Sequence, residues 1–80
     1  MSKSIHTAEH LKLRELLISA RKAAGLTQQE VADGLGRPQS FVAKYEVGER
    51  RLDVIEFVMV VRAVGGDPVK MLTKLLRQGN

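Results

Sequence analysis

Apolar residues recur along this chain at intervals of three and four, the spacing of amphipathic helices, with no credible strand pattern. Leu13, Leu16, Leu17, Ala20 and Ala24 form the first stripe. Gly25 follows where a left-handed C-terminal cap is needed, so the pattern predicts a helix over residues 9 to 24. Thr27 with Glu30 three residues on reads as a capping box, with Leu26 and Val31 as its hydrophobic staple. This second helix is predicted to run to about Leu35. Gly34 inside it costs roughly 1 kcal/mol relative to alanine, while Gly36 can take the positive φ of a sharp turn. Pro38 suits the first turn of a third helix carrying Gln39 to Glu46, with Gly48 as its stop. Asp53, Glu56 and the Leu52–Phe57 staple start a fourth helix, which ends near Val64 before Gly65 and Gly66. Asp67 and Pro68 then open a fifth, to about Arg77. Five short helices without a strand predict an all-α fold.

The 80 residues fit one domain, long enough to bury a modest core without disulfides or metal. Residues 1–8 are expected as a flexible N-terminal arm, 9–77 as the domain and 78–80 as a flexible tail. Cysteine is absent, which removes disulfides, thiolate nucleophiles and cysteine-ligated zinc. No apolar run approaches the roughly 18 residues of a membrane span, and the first residues lack a signal peptide's apolar stretch. A soluble, cytoplasmic protein with no membrane association is expected.

The formal net charge is +4, a balance that favours polyanionic partners. Its distribution complicates that reading. Thr27 to Gly48 holds Arg37 and Lys44 against Glu30, Asp33 and Glu46, a net of −1. The positive excess lies outside this segment, at Arg21, Lys22, Arg50, Arg51, Lys70, Lys74 and Arg77.

On a helical wheel the third helix turns Val42 and Tyr45 to one side and Gln39, Ser40, Ala43 and Lys44 to the other, with Phe41 on the border. An amide, a hydroxyl, a long cation and a small residue are what a helix entering the major groove requires, and Ala43 could touch a thymine methyl. The same four residues also suit an ordinary exposed helix face.

The stretch TQQEVADGLGRPQSFVAKYEVGERR resembles the helix-turn-helix of the Cro/C1 (xenobiotic-response-element) repressor family. The resemblance rests on Thr27-Gln28, Val31-Ala32, Leu35-Gly36, Gln39-Ser40, Val42 and the Tyr45-Glu46-x-Gly48 ending, and extends less specifically over residues 10 to 76. It implies a compact five-helix, lambda-repressor-like DNA-binding domain with its third helix in the major groove. Gln39, Ser40 and Lys44 match the family's base-contacting positions, and Phe41 a position that sometimes contacts DNA. Gln28 matches a phosphate contact at a helix N-terminus, and Arg50 and Arg51 match a basic loop that grips the backbone. Such phosphate contacts fix register, whereas base contacts specify. Arg37 and Pro38 depart from the family pattern, where an apolar turn residue and a Ser or Thr cap are common. Arg37 then reads either as a phosphate contact or as a solvated turn cation. Gln39 has a second reading as a hydrogen-bond partner within the protein, steering Gln28 or the start of its own helix. Glu46 is expected to be structural, paired to the backbone or a nearby cation.

No nucleophile, phosphate-loop or dinucleotide pattern is present, so catalysis is not expected. His6 and His10 lack partner ligands, and no metal, cofactor or small-molecule ligand is implied. The fourth helix is apolar around most of its circumference. With the fifth helix it suggests a self-association surface at Val60, Val64, Met71 and Leu75, hence a homodimer on a near-palindromic operator. A repressor is the favoured reading. The rivals are an antitoxin-type module binding a toxin partner and a non-specific nucleoid-type DNA binder.

Overall fold

The computed structural model describes residues 7–77, which fold into five helices. These are α1 (Ala8–Ala23), α2 (Gln28–Leu35), α3 (Gln39–Val47), α4 (Val54–Ala63) and α5 (Pro68–Leu76). The boundaries follow the caps written into the sequence. Thr27 and Asp53 each close a full capping box, with Glu30 and Glu56 returning the hydrogen bond. Asp67 caps α5 by accepting from the amides of Val69 and Lys70, and Pro68 fills the first helical turn. The expected arm over residues 1–8 is corrected at its end. Thr7 caps α1 by accepting from the His10 amide, and Ala8 is already helical. Residues 1–6, including His6, and the tail 78–80 lie outside the described residues.

Pro38 stands one position earlier than expected, as an extended N-cap to α3 with no side-chain capping bond. A proline cannot offer the side-chain oxygen that satisfies a helix's first amides, so the start of α3 depends on the turn before it. Gly36, at φ 68°, makes that turn.

Leu17, Val31, Val42, Val60 and Val61 are the largest fully buried side chains, one or two from each of the first four helices. Met71 of α5 and the Phe41–Tyr45 pair, 5.5 Å between ring centres and edge to face, complete the centre of the core. Both α1 and α2 pack on α3, so the third helix is held from two sides.

The residues expected to form a self-association surface are not an exposed face. Val60, Val64 and Met71 are 1%, 4% and 8% exposed and belong to the core, while Leu75 is half-buried. A ten-residue helix that is apolar all round gives no periodic clue to its inner face. The packing of α2, α4 and α5 selects Val60, Val61 and Val64 and leaves Val54, Ile55 and Met59 outward. Val69, Leu72 and Leu76 of α5 are exposed as well. Between the two helices and α1 runs an apolar groove of about 350 Å³, lined by Leu13, Leu52, Val54, Phe57, Val69 and Leu72 among others. No described helix is long and apolar enough to cross a membrane.

Candidate nucleic-acid interface

The polar face of α3 is present as the wheel predicts. Gln39, Ser40 and Lys44 are exposed and Ala43 is half-buried, while Val42 and Tyr45 point into the core. Ser40 and Lys44 make no side-chain hydrogen bond among the described residues, and so keep their donors available. Phe41 does not lie on a border: only 7% of it is exposed. The guanidinium carbons of Arg37 and Arg50 lie over its ring, 4.5 and 4.8 Å from the centre. Phe41 therefore carries cations and is not itself an exposed contact residue.

A chain of polar side chains reaches α3 from inside the domain. Arg21, near the end of α1, holds Glu46 with two bonds, Nε to Oε2 at 2.7 Å and Nη2 to Oε1 at 3.0 Å. The pair is largely buried, its side chains 13% and 4% exposed. The hydrogen bond to Glu46 raises the Arg21 pKa further above its already high ordinary value. Gln28 Nε2 donates to Glu46 Oε1 at 2.9 Å, and Gln39 Nε2 donates to Gln28 Oε1 at 2.6 Å. An ionised carboxylate can only accept, so Glu46 fixes the orientation of the Gln28 amide, and Gln28 in turn fixes that of Gln39. Gln39 is exposed, and it is also tied to Gln28.

A second cluster stands beside α3. Glu56 closes the α4 capping box and also takes Arg50 end-on, Nη1 to Oε1 at 3.0 Å and Nη2 to Oε2 at 2.9 Å. Arg37 Nη2 approaches the same Oε2 at 3.4 Å. Arg50 and the Asp53 backbone amide hold the Glu56 carboxyl well below the usual range, at about 2. Arg37 is thus neither a bare solvated cation nor a wholly unpaired one. Arg51 is exposed in the loop after α3.

Below that loop, the Arg14 side chain lies against Gly48, whose φ of 84° ends α3, and a Cβ on residue 48 would run into the Arg14 guanidinium. Arg14 Nε is buried without a hydrogen-bond partner.

Three participants were not singled out from the sequence as parts of a site: Arg14, Arg21 and, beyond its capping role, Glu56. A signal existed for the first two. Both fall three or four residues from Leu17, on the buried stripe of α1, where a charged residue needs a partner or a packing role. Among the described residues no cluster of His, Asp or Glu could hold a metal ion.

Two short helices joined at a left-handed glycine, the second presenting an exposed polar face, make up a helix-turn-helix domain. The helix-turn-helix family model matches residues 17–71. An XRE-family like protein from Pseudomonas syringae pv. tomato str. DC3000 is 54% identical. It superposes with a TM-score of 0.90 over 98% of this chain and 95% of that one. The chain belongs to the Cro/C1-type (xenobiotic-response-element) family of helix-turn-helix transcriptional regulators. It is a DNA-binding regulator and not an enzyme. The restriction-modification controller protein C.AhdI from Aeromonas hydrophila is similar at 26% identity and a TM-score of 0.73, over 81% of this chain and 98% of its own. The clp gene regulator ClgR from C. glutamicum shares the fold, with a TM-score of 0.79 at 19% identity, over 94% of this chain and 97% of its own. No curated protein matches the chain.

Proposed function

We propose that this chain is a cytoplasmic, dimeric, sequence-specific repressor that reads a near-palindromic operator with α3 in the major groove. The observation that carries the reading is the Glu46–Gln28–Gln39 chain. After donating one Nε2 hydrogen to Gln28, Gln39 retains an N–H and its Oε1. That donor–acceptor pair complements the N7 acceptor and N6 donor of adenine in the major groove. Ser40 and Lys44 supply the adjoining base contacts, with Ala43 small enough to let the backbone approach. Gln28, Arg37 and Arg51 grip phosphates, which fix the register.

Self-association is supported by the exposed apolar residues of α4 and α5, which give a monomer a patch it has no use for in water. A twofold dimer through Val54, Ile55, Val69 and Leu72 sets two α3 helices against successive major-groove faces, one helical turn apart, and makes the operator palindromic. Repression follows from occlusion, since a domain of this size bound across a promoter excludes polymerase.

Selection of bound fragments from genomic DNA with the purified protein tests the reading directly. A near-palindromic consensus is expected. Ser40→Ala and Lys44→Ala should each weaken binding to it by about tenfold, the magnitude of one charge-assisted or base-edge contact, with helicity unchanged. Recovery of fragments without a consensus, or wild-type affinity in both variants, removes α3 from the groove. The antitoxin-type reading gains ground only if the protein is isolated as a monomer that turns dimeric with a toxin chain bound.

A further inference from the structure

Arg37 and Arg50 leave the chain on opposite sides of α3, one in the turn before it and one in the loop after it. Their guanidinium groups nevertheless meet over one ring, Phe41, and on one carboxylate oxygen, Glu56 Oε2. Two like charges so close repel unless an anion stands with them. Glu56, projecting from the first turn of α4, is that anion.

The two arginines are not equivalent. A guanidinium carries five N–H donors in a fixed fork. Arg50 places both arms of its fork on Glu56, at 3.0 and 2.9 Å, and also gives Nη1 to the Arg51 carbonyl. Arg37 commits a single N–H to Glu56, at 3.4 Å, and its side chain is 41% exposed. In charge, Arg50 and Glu56 cancel. Arg37 is left as the uncompensated cation of the trio and keeps more free donors than Arg50, and it is stacked on an aromatic face that limits its freedom.

We propose that Glu56, Arg50 and Phe41 form a platform that holds Arg37 ready for one backbone phosphate of DNA, with Glu56 as the positioning residue. The proposal rests on the DNA-binding reading above. A long side chain that is ordered only on binding costs affinity several-fold. The platform orders Arg37 before DNA arrives, and gives Arg50 a different duty from the phosphate contact expected of it.

The test uses a mixed-sequence DNA duplex a few helical turns long, because a phosphate contact is read without regard to sequence, with affinity measured over a range of salt concentrations. Arg37→Ala is expected to weaken binding about tenfold and to reduce the slope of log affinity against log salt by about one. Glu56→Gln keeps a side chain that can close the capping box. It is expected to weaken binding about fivefold although it makes the protein more positive, and to have no such effect once residue 37 is alanine. Arg50→Lys keeps the charge and loses the fork; it should behave as Glu56→Gln does in both backgrounds, and it decides the matter if circular dichroism finds Glu56→Gln unfolded. Tighter binding by Glu56→Gln, or an equal change with and without Arg37, overturns the platform. Wild-type binding that is indifferent to Arg37→Ala overturns the platform alone. A wild-type protein that does not bind the duplex at low salt overturns the DNA-binding reading itself.

Discussion

Single carboxylates settle much of the interface's electrostatics. Glu56 accepts from the Asp53 amide and from Arg50, and those bonds hold its pKa at about 2, down from 4.5. A carboxyl depressed on folding contributes stability above its unfolded pKa, and loses it as pH falls through the folded one. The window here runs from about pH 4.5 down to about 2. Denaturant unfolding at a series of pH values should therefore find the wild-type advantage over Glu56→Gln shrinking through that window. An advantage constant across it would mean that the ion pair is not formed in solution. Glu46 resolves the charge puzzle of the motif in a related way. Its negative charge counts against DNA in a sequence tally, but it is buried and matched by Arg21 from outside the motif. The α3 surface therefore displays Lys44 without an acid of its own helix beside it. A structural role for Glu46, paired to the backbone or a nearby cation, was legible in the sequence although its position in the motif looked functional. Its partner was not, because the pairing spans 25 residues and depends on how α1 lies against α3.

Among the elements, the two glycines around the turn region divide sharply. Gly34 is helical, exposed, and has nothing within 4 Å of where a Cβ would stand. Gly34→Ala should stabilise the fold by about 0.5–1 kcal/mol, read as a rise of about 2–8 °C in the unfolding midpoint. Gly48→Ala should do the opposite and by more, since a positive φ and the Arg14 guanidinium both oppose the added methyl; calorimetry of the pair would compare them directly. Helix boundaries were readable because caps are local. Thr27 with Glu30, Asp53 with Glu56, and Asp67 with Pro68 each declare a start within four residues. Pro38 was displaced by one position, since proline fits either side of a helix's first turn. The inward face of α4 was not readable at all, because a period needs polar positions to define it and α4 offers only Glu56 and Arg62.

At the scale of the molecule, the proposed function gives the apolar groove and the polar face of α3 two different partners, a second copy and a duplex. Val69 is 73% exposed in the first turn of α5, where a helix N-terminus tolerates negative charge. Val69→Glu should leave the monomer folded and shift the protein from dimer to monomer in sedimentation equilibrium. Val60→Glu, in the core, should unfold it by leaving a charge buried. A Val69→Glu protein that stays dimeric would remove this face from the interface. The two ends of the Arg21–Glu46–Gln28–Gln39 chain also differ in depth, one lodged between α1 and α3 and the other on the exposed face of α3. Loosening α1 would release the amides while Lys44 and the loop arginines kept their charge. As the protein warms toward unfolding, discrimination between sequences should therefore fail before attraction to DNA does, and a regulator near its thermal limit would wander on the chromosome before it left it.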